Sequence, residues 1–161
     1  MRQVLFICSG NFYRSRFAEA VFNHHATLRH LPVRAFSRGL ATHLVHGEGE
    51  ISLYTRFALA ARGIALHHTG THPVQLARGD LERAHRSIAV KEAEHRPLMQ
   101  QLFPDWENRI EYWAVHDLDA AAPDVSIPLL EQRVIAVLDA CVADLSAHPT
   151  SDPHAVAASR P

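Results

Sequence analysis

Cys8, Ser9, Gly10, Asn11, Phe12, Tyr13, Arg14 and Ser15 set a thiol and a guanidinium with five residues between them and a hydroxyl directly after. That spacing suits an anion site. Five intervening residues can wrap a semicircle whose backbone N–H groups point inward. A helix starting at its end adds free N–H groups and the positive end of its dipole. Arg14 can then fork two oxygens of a tetrahedral dianion, a charge-assisted contact that strengthens as those oxygens become equatorial in a transition state. The dipoles that would hold a phosphoryl group also favour the thiolate of Cys8, which can attack phosphorus directly. Ser15 is placed to donate a hydrogen bond to that sulfur and ease its departure from a phosphocysteine. Gly10 and Asn11 are residue types that accept the tight, partly left-handed backbone such a nest needs.

The flanking pattern supplies the scaffold. Val4 to Cys8 is a short continuous apolar run, the signature of a strand buried on both faces of a parallel sheet. From Ser15 to Leu28 the apolar residues Phe17, Ala18, Val21, Phe22 and Leu28 recur at helical spacing. Val33 to Ser37 predicts a second strand, and Ile51 to Arg62 a helix closed by Gly63 at its C-terminus. Ser87 to Val90 predicts a third strand, followed by a helix over Glu92 to Leu102 that Pro104 ends. Ile110 to Val115 is the fourth strand. Ile127, Leu130, Val134, Val137, Leu138, Cys141 and Leu145 trace one face of a long last helix, with Pro128 in its first turn. Four strands alternating with helices imply an α/β three-layer sandwich with a four-stranded parallel sheet, its anion loop at the carboxyl end of strand 1.

Composition bounds the setting. The 161 residues, 47% of them hydrophobic, suffice for one core and are too few for two. Residues 1–146 are therefore read as a single α/β domain. From Ala147 to Pro161 the chain is rich in Pro, Ser, Thr and Asp without periodicity, and is expected to be a disordered tail. A formal net charge of -1 offers no global field for nucleic acid or an anionic membrane. Two cysteines, no leader pattern and no apolar run of membrane-spanning length point to a soluble chain in a reducing, cytoplasmic compartment. The 13 histidines do not repeat with zinc-like spacing, and neighbours such as His24 and His25 would point to different faces of a helix. No metal site is expected.

The stretch VLFICSGNFYRSRFAEAVF, Val4 to Phe22, closely resembles the amino-terminal signature of the low-molecular-weight protein tyrosine phosphatases. More loosely, the resemblance extends through Ser37, Gly63 and Ile64, Gln75 and Leu76, the third strand and the last helix. It implies phosphomonoester hydrolysis by a cysteine-dependent, protein-tyrosine-phosphatase-like enzyme. The reaction would pass through a phosphocysteine, act on a phosphorylated substrate, either a phosphotyrosine protein or a small aryl phosphomonoester, and need no cofactor. It also implies a network of Asn11, Ser15, Ser37 and His68 that holds the loop in shape. Asp117 takes the place of the general acid, with Asp119 as a second candidate two residues on.

Three departures bear on the substrate. Asp117 is followed by Leu118, Asp119 and Ala120, where the family carries Pro and aromatic residues that wall a phenol pocket. Tyr13 stands where many members have a second cysteine, and Arg16 replaces a usual Pro. Lys91 follows the third strand where an aspartate is common. Phe12 and Tyr13 offer a substitute aromatic wall, and Arg16 or Lys91 would favour an acidic substrate. Two alternatives share the loop: a thiol-dependent arsenate reductase, for which only Cys141 remains as a second thiol, and a non-catalytic phosphate-binding module.

Overall fold

The computed structural model describes residues 1–116 and 123–147. Its sheet is built from β1 (Arg2–Cys8), β2 (Val33–Gly39), β3 (Arg86–Ala89) and β4 (Glu111–Tyr112). They lie in the order β2-β1-β3-β4, every pair parallel. The connections are carried by α1 (Arg14–Leu28), α2 (Leu53–Ala60), α3 (Arg78–Arg83) and α4 (Glu92–Leu102), and α5 (Pro123–Ala147) follows β4.

β1 is the central strand, which explains its unbroken apolar run. Val4, Phe6 and Cys8 face a core shared with Phe17, Val21, Leu59 and Leu138 from α1, α2 and α5. Leu5 and Ile7, pointing the other way, meet Leu81 and Met99 from α3 and α4. Both faces are covered, so alternation in polarity would have been destabilising here. Each large side chain removed from water contributes roughly 1.5–3 kcal/mol. Because the chain passes from β1 to β2 on one side and later to β3 on the other, the crevice at the carboxyl end of β1 is the switch point where ligands bind in such sheets. Cys8 is the last residue of that strand.

The second helix is shorter than the sequence reading, Leu53–Ala60 rather than Ile51 to Arg62, and the fourth strand and last helix differ more. The fourth strand is two residues long rather than six, and beyond it pairing continues irregularly: Trp113 N donates to Ala89 O at 2.8 Å and Val115 N to Val90 O at 2.9 Å. The last helix starts at Pro123, so Pro128 lies in its second turn, where the ring removes one helical hydrogen bond. The packed apolar stripe from Ile127 onward holds the helix despite that loss. The helix α3 escaped the sequence reading because six residues give too little periodicity. The expected tail lies, beyond Ala147, outside the described residues.

Candidate active site

The loop from Cys8 to Ser15 forms a collar between β1 and α1. Asn11 carries a φ of 52°, the left-handed conformation that asparagine tolerates better than most residues. Its N–H donates to Cys8 Sγ at 3.2 Å. Ser15 Oγ lies 2.9 Å from the same sulfur. Neighbouring backbone clamps the collar from outside: Leu40 N donates to Cys8 O at 3.0 Å, Ala41 N to Ser9 O at 2.8 Å and Ser52 N to Phe12 O at 3.0 Å. Gly39 lets β2 come this close, because a Cβ there would stand 2.7 Å from Ser9 O and 2.9 Å from Asn11 N. Gly10 is likewise pressed against Val45, whose Cγ1 would be 2.8 Å from an added Cβ. The first turn of α1 contains no acidic residue, which leaves its N-terminal dipole directed at the collar.

Asn11 is fixed by four polar contacts. Its Oδ1 accepts from Val74 N at 2.9 Å, its Nδ2 donates to Ser15 Oγ at 3.1 Å and to Ser37 Oγ at 2.8 Å, and its own N–H reaches the thiol. Ser37, buried at the carboxyl half of β2, donates in turn to Glu19 Oε2 at 2.6 Å. The network that was expected to end on His68 ends on Glu19 and Thr69 instead: Thr69 Oγ1 donates to Glu19 Oε2 at 2.7 Å. The His68 ring stands 4.2 Å from the His67 ring and 5.3 Å from that of His24, and its backbone oxygen accepts from Asn23. His68 is thus turned toward a histidine cluster, and its loop-supporting place passes to the next residue, Thr69. Burial and then the neighbouring His67 hold the His68 imidazole below its ordinary pKa.

Arg16, which the sequence reading offered to substrate, is 1% exposed and lies behind the collar. Its Nε donates to Thr69 Oγ1 at 2.7 Å, one Nη to Glu50 O at 3.2 Å and the other to Gly70 O.

Arg14 is also 1% exposed. Nη1 donates to Val115 O at 3.1 Å, and Nη2 to the Glu94 carboxylate at 3.0 and 3.2 Å. Glu94, on α4, was missed by sequence reasoning. Ser9 donates to it as well, and the His95 Nε2 stands 3.4 Å from Oε1. Lys91 N–H donates to His95 Nδ1, so the neutral ring carries its proton on Nε2, which faces Ser9 Oγ at 3.2 Å. Burial alone would push the Glu94 carboxyl up. Hydrogen bonds from His95, Ser9 and Arg14 outweigh it and hold the group well below the usual carboxylate range. Lys91 reaches Glu94 at 3.8 Å, so the carboxylate missing at position 91 is supplied one helical turn later. The available sequence signal was an acidic residue in the first turn of a helix at a strand's carboxyl end.

Above the collar opens a cleft of about 750 Å³. Cys8 and Arg14 lie at its floor, and Phe12, Val45 and Tyr54 form apolar walls. The Tyr13 ring is buried 6.1 Å from that of Tyr54. Phe12 therefore supplies an aromatic wall from the collar itself. Asp117 and Asp119 lie outside the described residues; Val115, bonded to Arg14, brings the chain to the site two residues before Asp117. Among the described residues no group of His, Cys, Asp and Glu is arranged to hold a metal ion, and no helix is long and apolar enough to cross a membrane.

No curated protein sequence matches the chain. Solved structures do. The low molecular weight protein tyrosine phosphatase from T. tengcongensis shares 21% identity over 90% of this chain and 100% of its own, with a TM-score of 0.69. The arginine phosphatase YwlE from Geobacillus stearothermophilus shares 20% over 92% and 97%, with a TM-score of 0.71. A thioredoxin-dependent arsenate reductase from Corynebacterium glutamicum shares 20% over 89% of this chain and 63% of its own, with a TM-score of 0.64. At these identities the likeness is one of fold, shared by enzymes of three named activities. The sequence profile of a single family matches residues 3–151, from the strand before the collar through the last helix, and the chain belongs to the low molecular weight phosphotyrosine protein phosphatase family.

Proposed function

We propose that this phosphatase hydrolyses aryl phosphomonoesters through Cys8 as nucleophile, Arg14 as anion clamp and Asp117 as general acid. The observation that carries the reading is the Cys8 sulfur at the floor of the cleft, receiving the Asn11 N–H and lying 2.9 Å from Ser15 Oγ, at the N-terminus of α1. In the first step the S–P bond forms as the ester P–O bond breaks, and the departing oxygen takes a proton from Asp117. Water then attacks phosphorus and gives its proton to the Asp117 carboxylate. The S–P bond breaks and its electron pair returns to Cys8. Backbone N–H groups of residues 9 to 15 and the Arg14 fork hold the equatorial oxygens in both steps.

The apolar walls of Phe12, Val45 and Tyr54 favour an aromatic leaving group, such as a phosphotyrosine side chain. Both cysteines are free, in keeping with a reducing, cytoplasmic setting. Hydrolysis of an aryl phosphate, hydrolysis of phosphoarginine and glutathione-dependent reduction of arsenate should be assayed side by side on wild type and Cys8→Ser. Aryl phosphate turnover that vanishes in Cys8→Ser, with phosphate or vanadate still bound, is the expected result. Turnover retained by Cys8→Ser overturns the nucleophile. Faster arsenate reduction or phosphoarginine cleavage reassigns the substrate.

A further inference from the structure

We propose that Glu19 is a positioning residue for the nucleophile, acting through Ser37 and Asn11 to aim the Ser15 hydroxyl proton at Cys8 Sγ. The inference rests on Cys8 being the nucleophile. It follows from two groups that can only donate. Val74 N–H binds Asn11 Oδ1 at 2.9 Å, which settles the orientation of that amide, so both protons of Nδ2 go to Ser15 Oγ and Ser37 Oγ. Arg16 Nε, at the far end, donates to Thr69 Oγ1 at 2.7 Å. Ser37 and Thr69 each accept from an obligate donor, and each then passes its own proton to Glu19 Oε2, at 2.6 and 2.7 Å.

Oε2 receives two hydroxyl protons and carries none itself, and an ionised Glu19 accepts both most strongly. Burial raises the Glu19 carboxyl above its ordinary pKa, and hydrogen bonds from Ser37 and Thr69, the charge of Arg16 and the Gly70 N–H offset part of that rise. Arg16 therefore has a function behind the collar: through Thr69 and its own charge it favours the ionised form of Glu19, which is linked to the cleft by a chain of oriented protons. At the near end, Ser15 accepts from Asn11 and its remaining proton meets Cys8 Sγ, which also accepts the Asn11 N–H. That proton stabilises the sulfur when the S–P bond breaks, so the step most dependent on Glu19 is hydrolysis of the phosphocysteine.

The test is a double-mutant cycle on aryl phosphate hydrolysis with Glu19→Gln, Ser15→Ala and the pair. Glu19→Gln should lower kcat about tenfold with KM little changed, the size expected for one hydrogen bond to a charged group. A larger fraction of enzyme should be trapped as phosphocysteine at steady state. In the Ser15→Ala background Glu19→Gln should cost nothing further. Losses that multiply, or a kcat that Glu19→Gln leaves unchanged, overturn the proposal. Ser37→Ala severs the same chain with a smaller change and carries the same cycle should Glu19→Gln fail to fold. Cys8→Ser is run alongside. If it retains turnover, the nucleophile itself is wrong; if it is inactive and the losses multiply, Glu19 alone loses its role.

Discussion

The Arg14 guanidinium rests on Glu94, with Nη2 at 3.0 and 3.2 Å from the two carboxylate oxygens, although the residues are 80 positions apart. The pair fixes the plane of the guanidinium proposed to meet phosphoryl oxygens, and a misplaced clamp costs rate far out of proportion to the displacement. Glu94→Ala should therefore lower kcat/KM on an aryl phosphate by roughly 10–100-fold, while Glu94→Asp should recover part of it. The pair also sets a pH dependence. With the folded-state pKa of Glu94 depressed below its usual 4.5, its contribution to stability is complete above the unfolded value and is lost as pH falls toward the folded one. The difference in thermal midpoint between wild type and Glu94→Gln should shrink as pH is lowered below about 4.5. A difference constant from pH 7 to pH 3 would show that the carboxylate carries no such coupling.

Gly39 decides how closely β2 supports the collar. An alanine Cβ there would stand 2.7 Å from Ser9 O and 2.9 Å from Asn11 N, both backbone atoms with no side-chain freedom to yield. Gly39→Ala should cost about 1–3 kcal/mol of stability and weaken phosphate or vanadate binding more than tenfold, because the displaced atoms belong to the proposed anion nest. Thermal unfolding and vanadate inhibition on one preparation measure both effects.

Asp117 rather than Asp119 is expected to protonate the leaving oxygen. Loss of the true acid should slow an aryl phosphate with a poor leaving group far more than one with a good leaving group, since only the former needs the proton. It should also flatten the basic limb of the pH profile. Comparing Asp117→Asn with Asp119→Asn on two such substrates reads this directly. A leaving-group-dependent loss confined to Asp119→Asn transfers the role.

Oxidation should find no internal partner for Cys8. Cys141 shares a surface pocket with Arg2 and Val4, at the start of β1, whereas Cys8 ends that strand. Four residues of extended chain put Val4 roughly 13 Å from Cys8, beyond the roughly 7 Å between Cα atoms that a disulfide spans. Burial also pushes the Cys141 thiol up, which slows its attack on a sulfenate. Mild peroxide should inactivate the enzyme with recovery dependent on added thiol. Peptide mass spectrometry showing a Cys8–Cys141 disulfide would refute this.

The sequence by itself determined the Cys8–Ser15 collar and the scaffold beneath it. Cys8 to Ser15 lie within eight consecutive residues, and the runs and periodicities that mark β1, α1 and the alternation after them are local properties of the chain. Short-range chemistry of that kind is written in order. Tertiary structure alone decided what braces the collar. Glu94 reaches Arg14 and Ser9 from 80 and 85 residues away, and Thr69 meets Glu19 across 50. Those partners are chosen by strand order and by which turn of a helix faces the crevice. The same cause moved the supporting role from His68 to Thr69: at a short 3-10 turn over Leu66–His68, one residue of register turns a side chain from the collar to the histidine cluster. Buried polar groups must find hydrogen-bond partners wherever the fold brings donors and acceptors together, and no spacing along the chain records where that will be.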